Sequence, residues 1–174
     1  MSALTYGSTG KTSATTTATS TNGVSISSAA KVAAAEAADN AKAFATVGTE
    51  TRATIDAQKE AGKSLDLSEL SGRALAAMIL DKDKQFSAAE KAAAKTELNK
   101  RTRDEFVSTV GGSATLTTLA SYNQLMVKDY DSMSAEEREA RGWTSQTRAQ
   151  AAAFVATASN TSTSSLFDLL NQND

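Results

Sequence analysis

Two amphipathic helix patterns joined by a short polar connection occupy residues 65–110, and this stretch constrains the fold more than any other. Leu75 and Met78 stand three residues apart, as they would on the buried side of a first helix. Ser87 precedes Glu90 by the spacing of a capping box, which predicts the start of a second helix. We expect a helical hairpin on which the rest of the chain packs.

The sequence also predicts the limits of these two helices. The first should begin near Leu70, with Ser68 or Ser71 as its N-cap, because serine side chains accept hydrogen bonds from the first helical turn. The second should end at the pair Gly111-Gly112. Its predicted buried face repeats every four residues and consists of Ala94, Leu98, Thr102, Phe106 and Val110.

A further helix is predicted on the N-terminal side of this hairpin. Residues 28–62 are rich in alanine, the best helix former, and predict a helix that is weakened at Gly48. An alanine-lined helix buries little area, so we expect it to depend on its neighbours.

More helices are predicted after the hairpin. One should use a single face made of Leu116, Leu119, Asn123, Met126 or Val127, and Tyr130. Ser134 and Glu137 repeat the capping-box spacing before a short helix that Gly142 ends. A last helix should break in the polar run at residues 160–164. The sequence therefore predicts an all-α single domain, a helical bundle of about six or seven helices.

The chain divides into three segments by composition. Residues 1–27 are rich in Ser and Thr, with Lys11 as the one charged residue, and predict a disordered tail. Such Ser-rich segments also occur as uncleaved export signals of the flagellar or type III kind. The helical domain is expected over residues 28–160, and residues 161–174 form a short apolar C-terminal segment.

The C-terminal segment carries apolar residues that would share one face of a helix. Helical peptides with such an LxxLL-like pattern bind grooves on other proteins. The partner-binding candidates are Leu166, Phe167, Leu169 and Leu170. We expect this segment to dock onto the protein's own helices, and binding to a partner is the alternative.

The composition argues against most kinds of catalytic and metal-binding site. The 174 residues include no Cys, His or Pro. Without Cys and His there is no disulfide, thiol nucleophile, Ser-His-Asp triad or thiolate or imidazole metal site. A net charge of −2, from 18 basic and 20 acidic residues, gives no electrostatic case for binding nucleic acid. We expect no enzymatic activity, no cofactor and no nucleic-acid partner.

The sequence also allows predictions about membrane spans and targeting signals. No apolar run approaches the roughly 20 residues that span a bilayer, so no membrane span is expected. The N-terminus lacks a charged region followed by an apolar core, so no Sec-type signal peptide is predicted. We expect a protein that is cytoplasmic or exported by a non-Sec route.

Acidic residues between the two hairpin helices form the one candidate metal site. Asp81, Asp83 and Glu90 are spaced similarly to ligands of an EF-hand calcium loop. In the best register, however, Ile79 takes a position that needs an oxygen and Lys84 takes the position that needs glycine. We therefore expect a capped turn without metal. The alternative is a divalent-metal site with these three carboxylates as its ligands.

Other charged groups have simpler explanations. Asp129 and Asp131 lie near Glu136 and Glu137, and paired carboxylates can act as general acid and base. The two glutamates, however, stand in a first helical turn, where the helix dipole favours negative charge. The pairs Lys100 with Asp104 and Arg101 with Glu105 have i, i+4 spacing and predict surface ion pairs.

Trp143 is the only tryptophan and follows the helix-ending Gly142. Because the preceding helix offers no apolar surface, we expect the indole to be buried against another helix. The alternative is an exposed indole that binds a partner protein.

The leading hypothesis is a non-enzymatic helical protein that acts through protein–protein contacts. It would be a structural, adaptor or exported component, with a bacterial assembly as the setting, and homo-oligomerisation stays open. The alternative function is a divalent-ion-responsive helical regulator that uses the degenerate loop at Asp81, Asp83 and Glu90.

Overall fold

The computed structural model describes residues 27–163, with side chains as far as residue 159. This part of the chain contains seven α-helices and no strand, which confirms the all-α prediction. The helices are α1 (Ser28–Asn40), α2 (Phe44–Glu60), α3 (Gly72–Leu80), α4 (Ala88–Val110), α5 (Leu116–Ser132), α6 (Ala135–Arg141) and α7 (Ser145–Thr163). The predicted tail before Ser27, and the C-terminal residues after Thr163 with their four partner-binding candidates, lie outside the described residues.

Helix α3 is the centre of the fold, as the sequence predicts. Its N-cap is Ser71, whose hydroxyl accepts a hydrogen bond from the Ala74 N–H at 2.8 Å. Leu75 and Met78 are completely buried, and α3 contacts α1, α2, α4 and α6. The largest apolar cluster consists of Ile55, Leu67, Leu75, Met78, Phe86, Ala94 and Leu98.

Helix α4 begins with the predicted capping box. The Ser87 hydroxyl accepts from the Glu90 N–H, and the Glu90 carboxylate accepts from the Ser87 N–H at 2.7 Å. The predicted buried face is wrong at Phe106, which is 37% exposed. Val110, four residues later on the same face, is buried as predicted, whereas Phe106 meets Tyr122 of α5 at an open surface. Arg101 and Glu105 are the partly buried residues on this part of α4.

Residues 28–62 form two helices rather than one, and the break lies at residues 41–43, not at Gly48. The break is stabilised from α3: Arg73 Nη1 donates to the carbonyl oxygens of Asp39 and Lys42 at 2.6 and 2.7 Å. The Asp39 carboxylate also accepts from the Ser71 hydroxyl. Long-range contacts therefore decide where the alanine-rich segment bends, and propensity alone does not reveal them.

Helices α5 and α7 form an antiparallel pair. Arg148 near the start of α7 forms an ion pair with Asp131 near the end of α5, at 2.7 Å. The pair is joined to the rest of the fold through α4, which contacts α5. The predicted break at residues 160–164 does not begin at residue 160, because α7 continues to Thr163, and residue 164 lies outside the described residues. Hydroxyl groups in its last turns, such as that of Thr157, bind carbonyls four residues earlier and are satisfied inside the helix.

Helix α6 begins and ends where the sequence predicts. The Ser134 hydroxyl accepts from the Glu137 N–H, but the Glu137 carboxylate turns to Arg141, so the capping box is incomplete. Gly142 ends α6 in the left-handed conformation, with φ of 71°, and the Trp143 N–H donates to the Arg138 carbonyl at 2.8 Å. Within residues 27–163, no helix combines the length and the apolar character that crossing a membrane requires.

Candidate interaction surface

An open groove on the α4 and α5 side of the molecule collects three aromatic side chains. Phe106 of α4 and Tyr122 of α5 meet edge to face, with ring centroids 4.9 Å apart and an angle of 89° between the planes. Trp143, between α6 and α7, lines the same groove, which encloses about 340 Å³. We call this the aromatic groove; its lining residues are Asn99, Thr102, Arg103, Phe106, Tyr122, Arg141 and Trp143.

Trp143 is half-buried, so the prediction of a core indole is not confirmed. Its position follows from the left-handed cap at Gly142, which directs the chain away from α6. The guanidinium of Arg141 lies over the indole, 5.7 Å from the ring centroid. A cation over an aromatic face is attractive, so Arg141 holds the ring at the surface of the groove.

Arg141 is itself fixed by two neighbours. It forms an ion pair with Glu137 at 2.9 Å and donates to the Thr102 hydroxyl of α4 at 2.8 Å. Both partners of the ion pair are largely buried, each side chain being only 11% exposed. The groove therefore rests on an organised polar layer between α4 and α6.

Arg103 stands at the rim of the aromatic groove. Its side chain is exposed, and no carboxylate within residues 27–159 forms an ion pair with it. Its neighbours along α4 are engaged: Lys100 pairs with Asp104, as predicted. Arg101 pairs with Glu97 and not with Glu105, because it turns inward toward the carbonyl oxygens before α3. Arg103 is thus the available cation of this groove.

A polar cavity of about 350 Å³ lies behind this layer, between α1, α3, α4, α5 and α6. Two carboxyl groups meet in it, where Glu105 of α4 hydrogen-bonds to Asp129 of α5. Burial, and then the contact with Asp129, raise the pKa of Glu105 to about 7. Burial and the same two carboxyl groups also raise the pKa of the Tyr122 hydroxyl. The sequence does not reveal this pair, because the two residues are 24 positions apart.

The loop with the candidate metal ligands is a turn stabilised by the protein's own groups. Asp81 accepts hydrogen bonds from the N–H groups of Gln85 and Phe86 at 2.6 and 3.1 Å and forms an ion pair with Lys91 at 3.0 Å. Burial raises the pKa of Asp81, but these contacts outweigh it and leave the pKa below its usual value. Lys84 has φ of 55°, the left-handed conformation that an EF-hand loop assigns to glycine.

Glu90 does not join Asp81 at a common point. Its carboxylate binds Arg52 and Lys59 of α2 at 3.0 and 2.7 Å, besides the Ser87 N–H. Asp83 is exposed. No group of three or more acidic side chains arranged to hold a metal ion occurs among the described residues. The spacing in the sequence therefore does not bring the three candidate ligands together.

The second acidic cluster is also dispersed. Asp129 contacts Glu105, Asp131 pairs with Arg148, and Glu137 pairs with Arg141. These three carboxyl groups each have a different partner, so they do not face one another as a catalytic pair. Comparisons with protein-family models, curated proteins and solved structures find no match to this chain.

Proposed function

We propose that this is a non-enzymatic helical protein that acts through protein–protein contacts, and that the aromatic groove binds an amphipathic helix of a partner protein. The single observation that carries the proposal is the collection of Phe106, Tyr122 and Trp143 in one open groove. The chain has only one Trp, three Tyr and five Phe, so a third of its aromatic rings line this surface. Aromatic side chains supply much of the binding energy at protein interfaces.

The polar lining favours a particular kind of partner. Arg103 at the rim has no acidic partner among the described residues, whereas Arg141 is engaged with Glu137 and Thr102. A partner helix with an apolar face and an acidic residue at its edge would bury the rings and pair with Arg103. The proposed partner is therefore an acidic amphipathic helix, and neither nucleic acid nor a membrane.

The competing function, a divalent-ion-responsive regulator, is not proposed. Asp81 and Glu90 already bind cationic side chains and backbone N–H groups, and an ion would have to displace them. A role in a bacterial assembly, and export by a non-Sec route, remain predictions from the composition of residues 1–27.

Photo-crosslinking in cells that express the protein tests the proposal. A photoreactive phenylalanine analogue at Asn99, an exposed residue that lines the groove, should give one dominant adduct with another protein. The matched control is the same analogue at Lys95, an exposed residue one turn earlier on α4 that lies outside the groove. The adduct should disappear when Phe106→Ala and Trp143→Ala are combined with the analogue at Asn99. Equal adducts from the two positions, or none from Asn99, would contradict a specific groove.

The crosslinked partner region, made as a peptide, gives a second and quantitative readout. Because the single Trp lines the groove, its fluorescence should change on binding and saturate at one peptide per chain. Arg103→Glu should weaken binding about tenfold or more and reduce its dependence on salt, because it reverses the charge at the rim. Lys95→Glu, which makes the same charge change outside the groove, should leave the affinity unchanged.

A further inference from the structure

Two carboxyl groups meet across the contact between α4 and α5. Glu105 of α4 hydrogen-bonds to Asp129 of α5, and both side chains are partly buried at the polar cavity. An ionised carboxylate only accepts hydrogen bonds, so one member of the pair must carry a proton for this bond to exist. The contact between the two helices therefore includes a proton that can be lost to water.

The surrounding helices supply no cation that replaces this proton. The charged and titratable groups that face the pair are Glu36 of α1, Arg73 of α3, Arg101 of α4, Tyr122 of α5, and Glu137 and Arg141 of α6. Each guanidinium group is bound elsewhere, Arg73 to backbone carbonyls, Arg101 to Glu97 and Arg141 to Glu137. Neither carboxyl of the pair takes part in an ion pair within residues 27–159. Loss of the proton would leave two like charges in contact, which is unfavourable.

Few other contacts hold α5 against α4. Helix α5 contains no fully buried residue, and α4 supplies the main contact between the α5 and α7 pair and the rest of the molecule. The edge-to-face contact of Phe106 with Tyr122 crosses the same interface. The C-terminal end of α5 is tied to α6 instead, because Arg138 donates to the carbonyl oxygens of Tyr130 and Met133 at 3.0 Å. This end is the natural pivot for a movement of α5 away from α4.

We infer that Glu105 and Asp129 form a proton-dependent latch between α4 and α5. With one proton shared between the two carboxyl groups, α5 and α7 are held against α4. With both groups ionised, their repulsion moves α5 and α7 together away from α4, and Tyr122 separates from Phe106.

The latch also regulates the proposed binding surface, and this part of the inference rests on the proposed function. The aromatic groove takes Phe106 from α4 and Tyr122 from α5, so it is complete only while the two helices are in contact. A partner helix should therefore bind less tightly above the pH at which the latch opens. The movement itself occurs in the free protein, so it can be measured without a partner.

The absence of cysteine allows the movement to be measured with pairs of spin labels in the full chain. Lys95→Cys on α4 and Gln124→Cys on α5 place labels at two exposed positions on either side of the contact. Pulsed electron paramagnetic resonance should give a longer distance between the labels at about pH 9 than at about pH 5, because both carboxyl groups are ionised at the higher value. The midpoint of the change should lie close to the pKa of Glu105, about 7.

A second label pair provides the matched control. Gln124→Cys and Gln150→Cys place both labels on the α5 and α7 pair, again at exposed positions. Because these two helices move together, the distance between the labels should be the same at both pH values.

Three substitutions identify the groups responsible. Glu105→Gln and Asp129→Asn each remove one charge and supply an amide N–H that donates to the remaining carboxylate. Each should therefore abolish the change and keep the shorter distance at both pH values. Glu36→Gln removes another carboxyl that lines the polar cavity, from α1, and should leave the change intact. Circular dichroism at both pH values checks that each protein keeps its helices.

Three results would overturn the inference. Equal distances at the two pH values for the labels on α4 and α5 would mean that the pair does not control this contact. A change that persists in Glu105→Gln and Asp129→Asn would assign it to another group. An equal change in the control pair would mean that α5 and α7 come apart and do not move together. A movement that is observed although no partner helix binds at either pH would contradict the proposed function alone and support the latch.

Discussion

The Glu90 carboxylate holds the first turn of its own helix and also binds the guanidinium of Arg52 on α2, 3.0 Å away. One oxygen accepts from the Ser87 N–H, and the other accepts from Arg52 and from Lys59. Glu90 is only 5% exposed. A single buried charge therefore joins the cap of α4 to the packing of α4 against α2.

Replacing this carboxylate by an amide should destabilise the protein. Glu90→Gln removes the charge that Arg52 and Lys59 compensate, and we expect a loss of about 2–4 kcal/mol in the free energy of unfolding at neutral pH. Urea denaturation followed by circular dichroism measures this loss. As a control, Asp104→Asn removes an exposed partner of Lys100 and should leave the unfolding curve almost unchanged.

The contribution of Glu90 should depend on pH in a defined direction. Burial opposes its ionisation, but the hydrogen bonds from Lys59, Ser87 and Arg52 outweigh burial and lower its pKa from 4.5 to about 2. As the pH is lowered, the Glu90 carboxyl therefore binds a proton in the unfolded state before it does so in the folded state. The stabilisation by Glu90 is complete above about pH 4.5 and is lost as the pH falls through about 2. The difference between wild type and Glu90→Gln should shrink over this window, and a constant difference would contradict the assignment.

The two serine caps should differ in strength. Ser87→Ala removes one half of a complete capping box and should cost about 1–2 kcal/mol, whereas Ser134→Ala removes a single cap and should cost about 0.5–1 kcal/mol. The difference arises because Glu137 binds Arg141 and does not return to the Ser134 N–H. Chemical denaturation of both variants tests the order; unchanged stability in both would show that the helices do not begin at these residues.

Local signals in the sequence predict much of this fold. Both serine caps, the glycine stop at Gly142 and the apolar character of α3 depend on residues within a few positions of one another. Ion pairs and bends that depend on distant residues are not predictable in this way. The turn after α1 needs Arg73, more than thirty residues away, and Arg101 chooses Glu97 because carbonyl oxygens before α3 draw it inward.

The candidate site was only partly predictable for the same reason. The sequence indicates either a core or a partner-binding role for Trp143, but its neighbours Phe106 and Tyr122 come from two other helices, which the sequence does not reveal. The four-residue step predicts a buried face that contains both Phe106 and Val110, but only Val110 is covered, and the spacing does not show which of the two a distant helix covers. The metal candidates are close together in the sequence, yet Asp81 and Glu90 bind different cations and Asp83 is exposed.

Gly72 illustrates a packing constraint that the sequence does not reveal. The Glu137 carboxylate lies so close to its α-carbon that a β-carbon there would overlap it. Gly72→Ala should displace Glu137 from Arg141, and we expect a net loss of about 1–3 kcal/mol in the free energy of unfolding after the gain in helix propensity.

Gly48→Ala is the matched control for this substitution. Gly48 also lies in a helix, but its β-carbon would make an ordinary contact, 3.8 Å from that of Ala77. We expect it to stabilise the protein by about 0.5–1 kcal/mol, because alanine restricts the unfolded chain and favours the helix. If the melting temperature changed in the same direction for both variants, the crowding of Gly72 by Glu137 would be excluded.

The Glu105 and Asp129 pair should give a pH dependence opposite to that of Glu90. The folded state raises the pKa of Glu105 from 4.5 to about 7, so it retains a proton that the unfolded state releases. Stability should therefore fall as the pH rises from about 4.5 to 7 and then level off.

Glu105→Gln should remove this pH dependence, because glutamine keeps the shape and a hydrogen-bond donor without titrating. Chemical denaturation at several values between pH 4.5 and 8 measures the effect. Glu139→Gln, at an exposed position on α6, serves as the control and should follow wild type. A pH profile that is identical for wild type and Glu105→Gln would rule out a shared proton at this pair.

Trp143 provides the most direct test of the aromatic groove in the free protein. A half-buried indole under the Arg141 guanidinium should emit between the extremes of a core residue and free tryptophan, and acrylamide should quench it partially. Arg141→Lys should increase quenching, because lysine lacks the planar group that covers the ring and the fork that binds Glu137.

Trp143→Ala should lower the free energy of unfolding by about 1–3 kcal/mol. This is less than the loss of a fully buried aromatic side chain, because part of the ring already contacts water. Arg103→Lys, which keeps the charge at the rim, should leave emission and quenching unchanged. A blue-shifted indole that acrylamide cannot reach would place Trp143 in the core and remove the central ring from the proposed binding surface.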